Sequence, residues 1–199
     1  MARLLLLRHG QSTWNAQQRW QGWADPPLSP EGETQSRQAA AWLADEGFTG
    51  VVTSDLQRAR RTAAILAQEL GLPEPTVDDR WRERNVGEWS GHSHDEILVR
   101  WPGQLEAWRA GQLERPPGGE SQVDLAGRIM AAVHDWSAAD GVLLVVTHGG
   151  VIHTAGVGLG AVWRGISNLS GAWVERGPGG PEPGERVGST TPSATTTVL

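Results

Sequence analysis

Leu4-Leu5-Leu6-Leu7-Arg8-His9-Gly10-Gln11-Ser12-Thr13-Trp14-Asn15 decides how the chain is read. Four consecutive leucines without polar alternation predict a short strand buried on both faces, the habit of parallel sheets covered by helices. The run stops at Arg8-His9-Gly10, where charge and a glycine replace the apolar side chains. Ligands of open α/β sheets bind outside the carboxyl ends of strands, and Gly10 lets the backbone turn there and come close to one. Ser12 and Asn15 add a hydroxyl and an amide along the outgoing segment.

Two further strands end in the same manner. Val51-Val52-Thr53 reads as a strand, after which Ser54 and Gln57 form a capping box that opens a helix through Leu70, closed by Gly71 and Pro73. Arg58 then falls in the first turn of a helix, just past a strand end. Val142 to Val146, a continuous apolar run, predicts a central parallel strand that delivers His148-Gly149-Gly150 to the same edge of the sheet. Around these, Ser29-Pro30-Glu31 opens a helix over 30–46, and Ser93 with Glu96 caps one over 93–111 that is broken at Pro102-Gly103. Helical spacing runs from Ser121 to Ala139 and again over 151–160. Trp20 to Pro27 is a surface loop whose two tryptophans, Trp20 and Trp23, suit either a pocket wall or a staple onto the core. Leu169 to Glu175 reads as an edge strand. Residues 1–176 form one domain, and Gly177 to Leu199, rich in Gly, Pro, Ser and Thr, a flexible tail or flap.

Composition narrows the chemistry. A net charge of −6 over 199 residues gives no global attraction for nucleic acid or anionic membrane, so a local cationic cluster points to a small anionic substrate. There is no cysteine to form a disulfide or serve as a thiol nucleophile, and no tyrosine to act as a base, although there are eleven tryptophans. The four leucines are too few for a secretory segment or a membrane span, which makes a cytoplasmic enzyme the expectation; a homodimer is compatible with this reading.

Three strand ends thus gather Arg8, Arg58, His9 and His148, a convergence of cationic groups that an anion would hold together. Guanidinium groups grip phosphate oxygens in pairs, and they lower the pKa of nearby imidazoles, which keeps them neutral and nucleophilic.

Arg8-His9-Gly10-x-Ser12-x-x-Asn15, then Ser54-x-Leu56-x-Arg58-Ala59-x-x-Thr62, then Glu83, then His148-Gly149, taken in this order, resemble the histidine phosphatase superfamily of phosphoglycerate-mutase-like proteins. The resemblance implies a three-layer α/β/α sandwich with a mostly parallel central sheet. It implies that His9 is the nucleophile that becomes phosphohistidine, with Arg8, Arg58 and His148 on the phosphoryl group, Asn15 on a further oxygen and Glu83 as proton donor. Ser12, Gln21, Gly22, Arg82 and Gly149 are the other substrate-facing candidates, and Arg82 and Arg84 could receive a second anionic group. Glu88 stands near Glu83, and Val86 occupies the place of the family's aromatic residue. No cofactor and no metal are implied. His92-Ser93-His94-Asp95 invites a binuclear metal reading, but Ile97 stands where a further histidine would be needed.

By the same resemblance, the activity is hydrolysis of small phosphomonoesters. True mutases carry a longer insertion after the acid, whereas Glu83 and Gly118 here are only 35 positions apart. Pro117 to Ser121 and the chain length resemble the branch that holds broad-specificity, α-ribazole and glucosyl-phosphoglycerate phosphatases, with Asn168 to Trp173 leaning toward the last. A phosphoglycerate mutase and a catalytically idle phosphate-binding module are the alternatives.

Overall fold

The computed structural model describes residues 3–188. In chain order it contains β1 (Arg3–Arg8), α1 (Thr13–Ala16), α2 (Pro30–Leu43), β2 (Gly50–Thr53), α3 (Gln57–Glu69), β3 (Thr76–Val77), α4 (His94–Arg100), α5 (Gln104–Arg109), α6 (Gln122–Ser137), β4 (Val142–Thr147), α7 (Gly149–Gly158), β5 (Ser170–Gly177) and β6 (Gly180–Gly188). The six strands form one sheet in the order β3-β2-β4-β1-β5-β6. β3, β2, β4 and β1 run parallel, and β5 and β6 are antiparallel additions on the far side of β1.

The leucine run explains the layering. Successive strand residues point to opposite faces, so Leu4 and Leu6 pack with Ile129 and Val133 of α6 and Ile152 of α7. Leu5 and Leu7 pack with Leu43 of α2 and Leu66 of α3. All four leucines are fully buried. Helices on both faces of a mostly parallel sheet give the expected three-layer sandwich, with the carboxyl ends of β1, β2 and β4 side by side at one edge. A third, smaller apolar cluster lies beside it: Trp20, Val86, Trp89, Ile97 and Leu105, with Trp101 and Trp108 packed against them. Four of the eleven tryptophans gather here, Trp20, Trp89, Trp101 and Trp108.

Four expectations are corrected. β5 is interior, since it pairs with β1 on one side and β6 on the other. Residues 180–188, expected in a flexible tail after 176, are that edge strand, and the boundary drawn at 176 falls inside β5. Pro181 and Pro183 cannot donate to a ladder, but at a sheet edge that costs little; the rest of the expected tail, 189–199, lies outside the described residues. The capping box at Ser54 and Gln57 does not form, because α3 begins after Leu56, which makes no side-chain cap. The short α1 and β3 were not anticipated, whereas the Ser93–Glu96 capping box and the break between α4 and α5 occur as read.

Candidate active site

At the carboxyl end of β1 the chain presents Arg8 and His9. The His9 Nδ1 lies 2.6 Å from the Gly10 carbonyl oxygen. A carbonyl only accepts, so Nδ1 carries the proton and Nε2 keeps its lone pair. That Nε2 is approached at 3.3 Å by Nε of Arg58, from the first turn of α3. Arg58 donates its other two nitrogens to the carbonyls of Ala24 and Gly22, each at 2.9 Å, so the Trp20–Pro27 loop sets its fork in place. Gly22 can present its carbonyl there because it adopts a positive φ of 51°, and a Cβ at this position would stand 2.6 Å from Val86 Cγ2. Arg8 donates to the Ile166 carbonyl at 2.6 Å, while its buried Nε has no partner.

His148, at the end of β4, is wholly buried behind His9, with ring centroids 5.1 Å apart. Its Nε2 lies 2.9 Å from Ser54 Oγ and its Nδ1 has no partner. Ser54, read as a helix cap, instead orients this imidazole. Both histidines are held well below the usual histidine pKa, chiefly by burial and then by Arg58, with Arg8 contributing to both. Burial thus outweighs the arginine effect inferred from sequence, and it also lowers Arg58 to about 10. The result is two neutral imidazoles between two buried guanidiniums that have no carboxylate partner.

Glu83 faces this group across the cleft. One carboxylate oxygen accepts from the Arg84 backbone N–H at 2.8 Å and the other from that of Gly150 at 3.3 Å. A cavity of about 770 Å³ is lined by Arg8, His9, Arg58 and Glu83 at its base. Asn15, Gln21, Gly22 and Gly149 also line it, as do Arg84, Trp108, Gln122, His153 and Trp163.

Three candidates do not line the cavity: His148, Ser12 and Arg82. Ser12 is fully buried, caps α1 in a box with Asn15 and donates to Gln21 at 2.7 Å. Arg82 is ion-paired with Asp55 and covers Trp23, which in turn donates to the Glu83 carbonyl at 2.7 Å. Ser12 and Arg82 are structural supports here; Trp20 packs in an apolar cluster and lines the cavity, whereas Trp23 is 42% exposed. His92 stands edge-on to Trp101 near Glu96. No group of three or more His, Cys, Asp or Glu side chains among the described residues could hold a metal ion, and no helix among them is long and apolar enough to cross a membrane. Sequence reasoning missed Ser54 as the partner of His148 and Asn168 as the donor to the His9 carbonyl at 2.8 Å. It also missed the pairing of Arg84 with Trp108. The first two lie in segments already singled out, but only their long-range partners reveal the role.

The chain is 42% identical over 159 residues to a glucosyl-3-phosphoglycerate phosphatase of Mycolicibacterium vanbaalenii, covering 75% of this chain and 70% of that one. It is 44% identical to a 2,3-bisphosphoglycerate-dependent phosphoglycerate mutase of Methylobacterium radiotolerans, over 64% of this chain and 62% of the mutase. The solved structure of a mycobacterial glucosyl-3-phosphoglycerate phosphatase with VO3 superposes with a TM-score of 0.77 at 34% identity, covering 87% of this chain and 92% of that one. Residues 4–182 match the family described as the histidine phosphatase superfamily (branch 1), and the chain belongs to that superfamily.

Proposed function

We propose that this chain hydrolyses small phosphomonoesters, with a glucosyl-phosphoglycerate type substrate, through a phosphohistidine at His9. The observation that carries this is the His9 ring itself: Nδ1 is engaged by Gly10 and Nε2 faces Arg58 at the base of the cavity. In the first step Nε2 forms a bond to phosphorus as the ester P–O bond breaks, and Glu83 in its acid form gives a proton to the departing oxygen. In the second, Glu83 takes a proton from water, whose oxygen attacks phosphorus and releases the histidine. Arg8 and Arg58 stabilise the charge on the equatorial oxygens throughout. The unpartnered Nε–H of Arg8 would meet a phosphoryl oxygen, and so would His148 Nδ1 in the tautomer that carries its proton there, with Ser54 Oγ 2.9 Å from Nε2. Asn15, Gln21, Gly22 and Gly149 surround the ester, and Arg84 takes a second anionic group. The arginines supply the positive charge, so no metal or cofactor is needed, and a cytoplasmic location fits this activity.

The names of the mycobacterial relatives support the substrate class. A mutase reading is favoured by the second relative, although that match spans less of its partner. Turnover of an aryl phosphate in the presence of a chelator tests the scheme. His9→Ala should abolish it, and Glu83→Gln should slow poor leaving groups far more than good ones. Persistent turnover in His9→Ala would overturn the scheme, and isomerisation of 3-phosphoglycerate faster than phosphate release would make the protein a mutase.

A further inference from the structure

Most arginines of the fold that have a nearby acid are paired with it: Arg82 with Asp55, Arg80 with Asp78, Arg128 with Glu120. Arg84 is different. It is 7% exposed, lines the active-site cavity and makes no ion pair with any described residue. Its guanidinium lies over the Trp108 ring, 5.1 Å from the centroid, and Nη2 donates to Gln122 Oε1. Nε and Nη1 hydrogen-bond no described residue. Trp108 comes from α5 and is itself fixed edge-to-face against Trp20 and Trp89, with centroids 6.0 and 5.6 Å away. Gln122 opens α6. Two segments distant in sequence therefore hold one buried cation flat, by its face and by one nitrogen, and leave two donors for a ligand.

A neutral amide as the partner matters. A carboxylate in place of Gln122 would neutralise Arg84 and compete with an incoming anion, whereas an amide oxygen orients the fork without cancelling its charge. The other cations lining the cavity are placed differently. Arg19 is paired with Glu96, and Arg109 and Arg164 are exposed.

We infer that Trp108 and Gln122 are positioning residues that hold Arg84 as the reader of a carboxylate on the non-reacting part of the substrate, and so set the preference for phosphoglycerate-type esters over uncharged ones. This rests on the phosphatase reading above. The test is a matched pair: kcat/KM for phosphate release from 3-phosphoglycerate divided by that from glycerol 3-phosphate, which carries a hydroxymethyl group in place of the carboxylate. In Gln122→Glu, a change at an exposed helix start, the ratio should fall about tenfold, and the loss should lie in the KM for 3-phosphoglycerate. Trp108→Leu should lower the ratio several-fold, while Trp108→Phe, which restores an aromatic face, should retain most of it. A ratio unchanged in Gln122→Glu, or an equal fall for both substrates in every variant, would overturn the inference while leaving the phosphatase reading intact. Release from neither ester by the unaltered protein, with turnover of the aryl phosphate intact, would overturn the inference alone, and failure on all three would overturn both.

Discussion

At the scale of single residues, the site depends on keeping ionisable groups in the dry interior without their usual partners. His9 and His148 are neutral in the fold because burial and two arginines oppose their protonation. In the unfolded chain they titrate near the ordinary histidine value of about 6.5. The unfolded state therefore binds more protons below that value, and stability from this source is complete above it and lost as pH falls toward the depressed native values. Between pH 7 and 5 the unfolding free energy should drop by up to about 1.4 kcal/mol per pH unit for each imidazole. Chemical denaturation of the protein and of His9→Gln across this range checks it: the variant should show the shallower slope. Arg8, His9, Arg58 and Glu83 were legible because each stands beside a strand end or in an ordered motif. Ser12 and Arg82 do not line the cavity, and a sequence does not say whether a polar side chain is already occupied; Asn15 and Asp55 occupy these two.

At the scale of elements, the strands that carry the site were legible and the one that closes the sheet was not. β1 and β4 announce themselves by unbroken apolar runs, since both faces of each are covered. Gly180 to Gly188 carries only Val187 as a large apolar residue, and its strand exists because β5 offers an open ladder immediately before it. Tertiary pairing outweighs local propensity there. The segment is nevertheless part of the packed structure, for Val187 lies against the cluster that holds Trp173, and a Cβ on Gly184 would stand 2.9 Å from the Trp173 side chain. Truncation after Gly177 should therefore lower Tm by several degrees, measured by thermal unfolding. Because β5 begins at the turn whose Asn168 and Leu169 bind the carbonyls of His9 and Arg8, kcat should fall with it. An unchanged Tm would show that β6 adds nothing to the sheet.

At the scale of the whole molecule, an acidic protein concentrates three buried guanidiniums without ion pairs around one cavity: Arg8, Arg58 and Arg84. The sandwich keeps them there because parallel strands place their carboxyl ends in one row, so the cationic centre is a product of topology as much as of residue type. The unpartnered, buried Nε–H of Arg8 adds to the demand for an oxyanion. A cradle of this kind does not distinguish an ester about to be cleaved from the orthophosphate that remains afterwards. Inorganic phosphate should accordingly compete with substrate, and it should raise Tm in proportion to the logarithm of its concentration. Initial rates measured with added phosphate, beside melting curves in the same buffers, would show this. If the cradle holds its own waste, the pace of turnover should follow the phosphate level of the surrounding fluid.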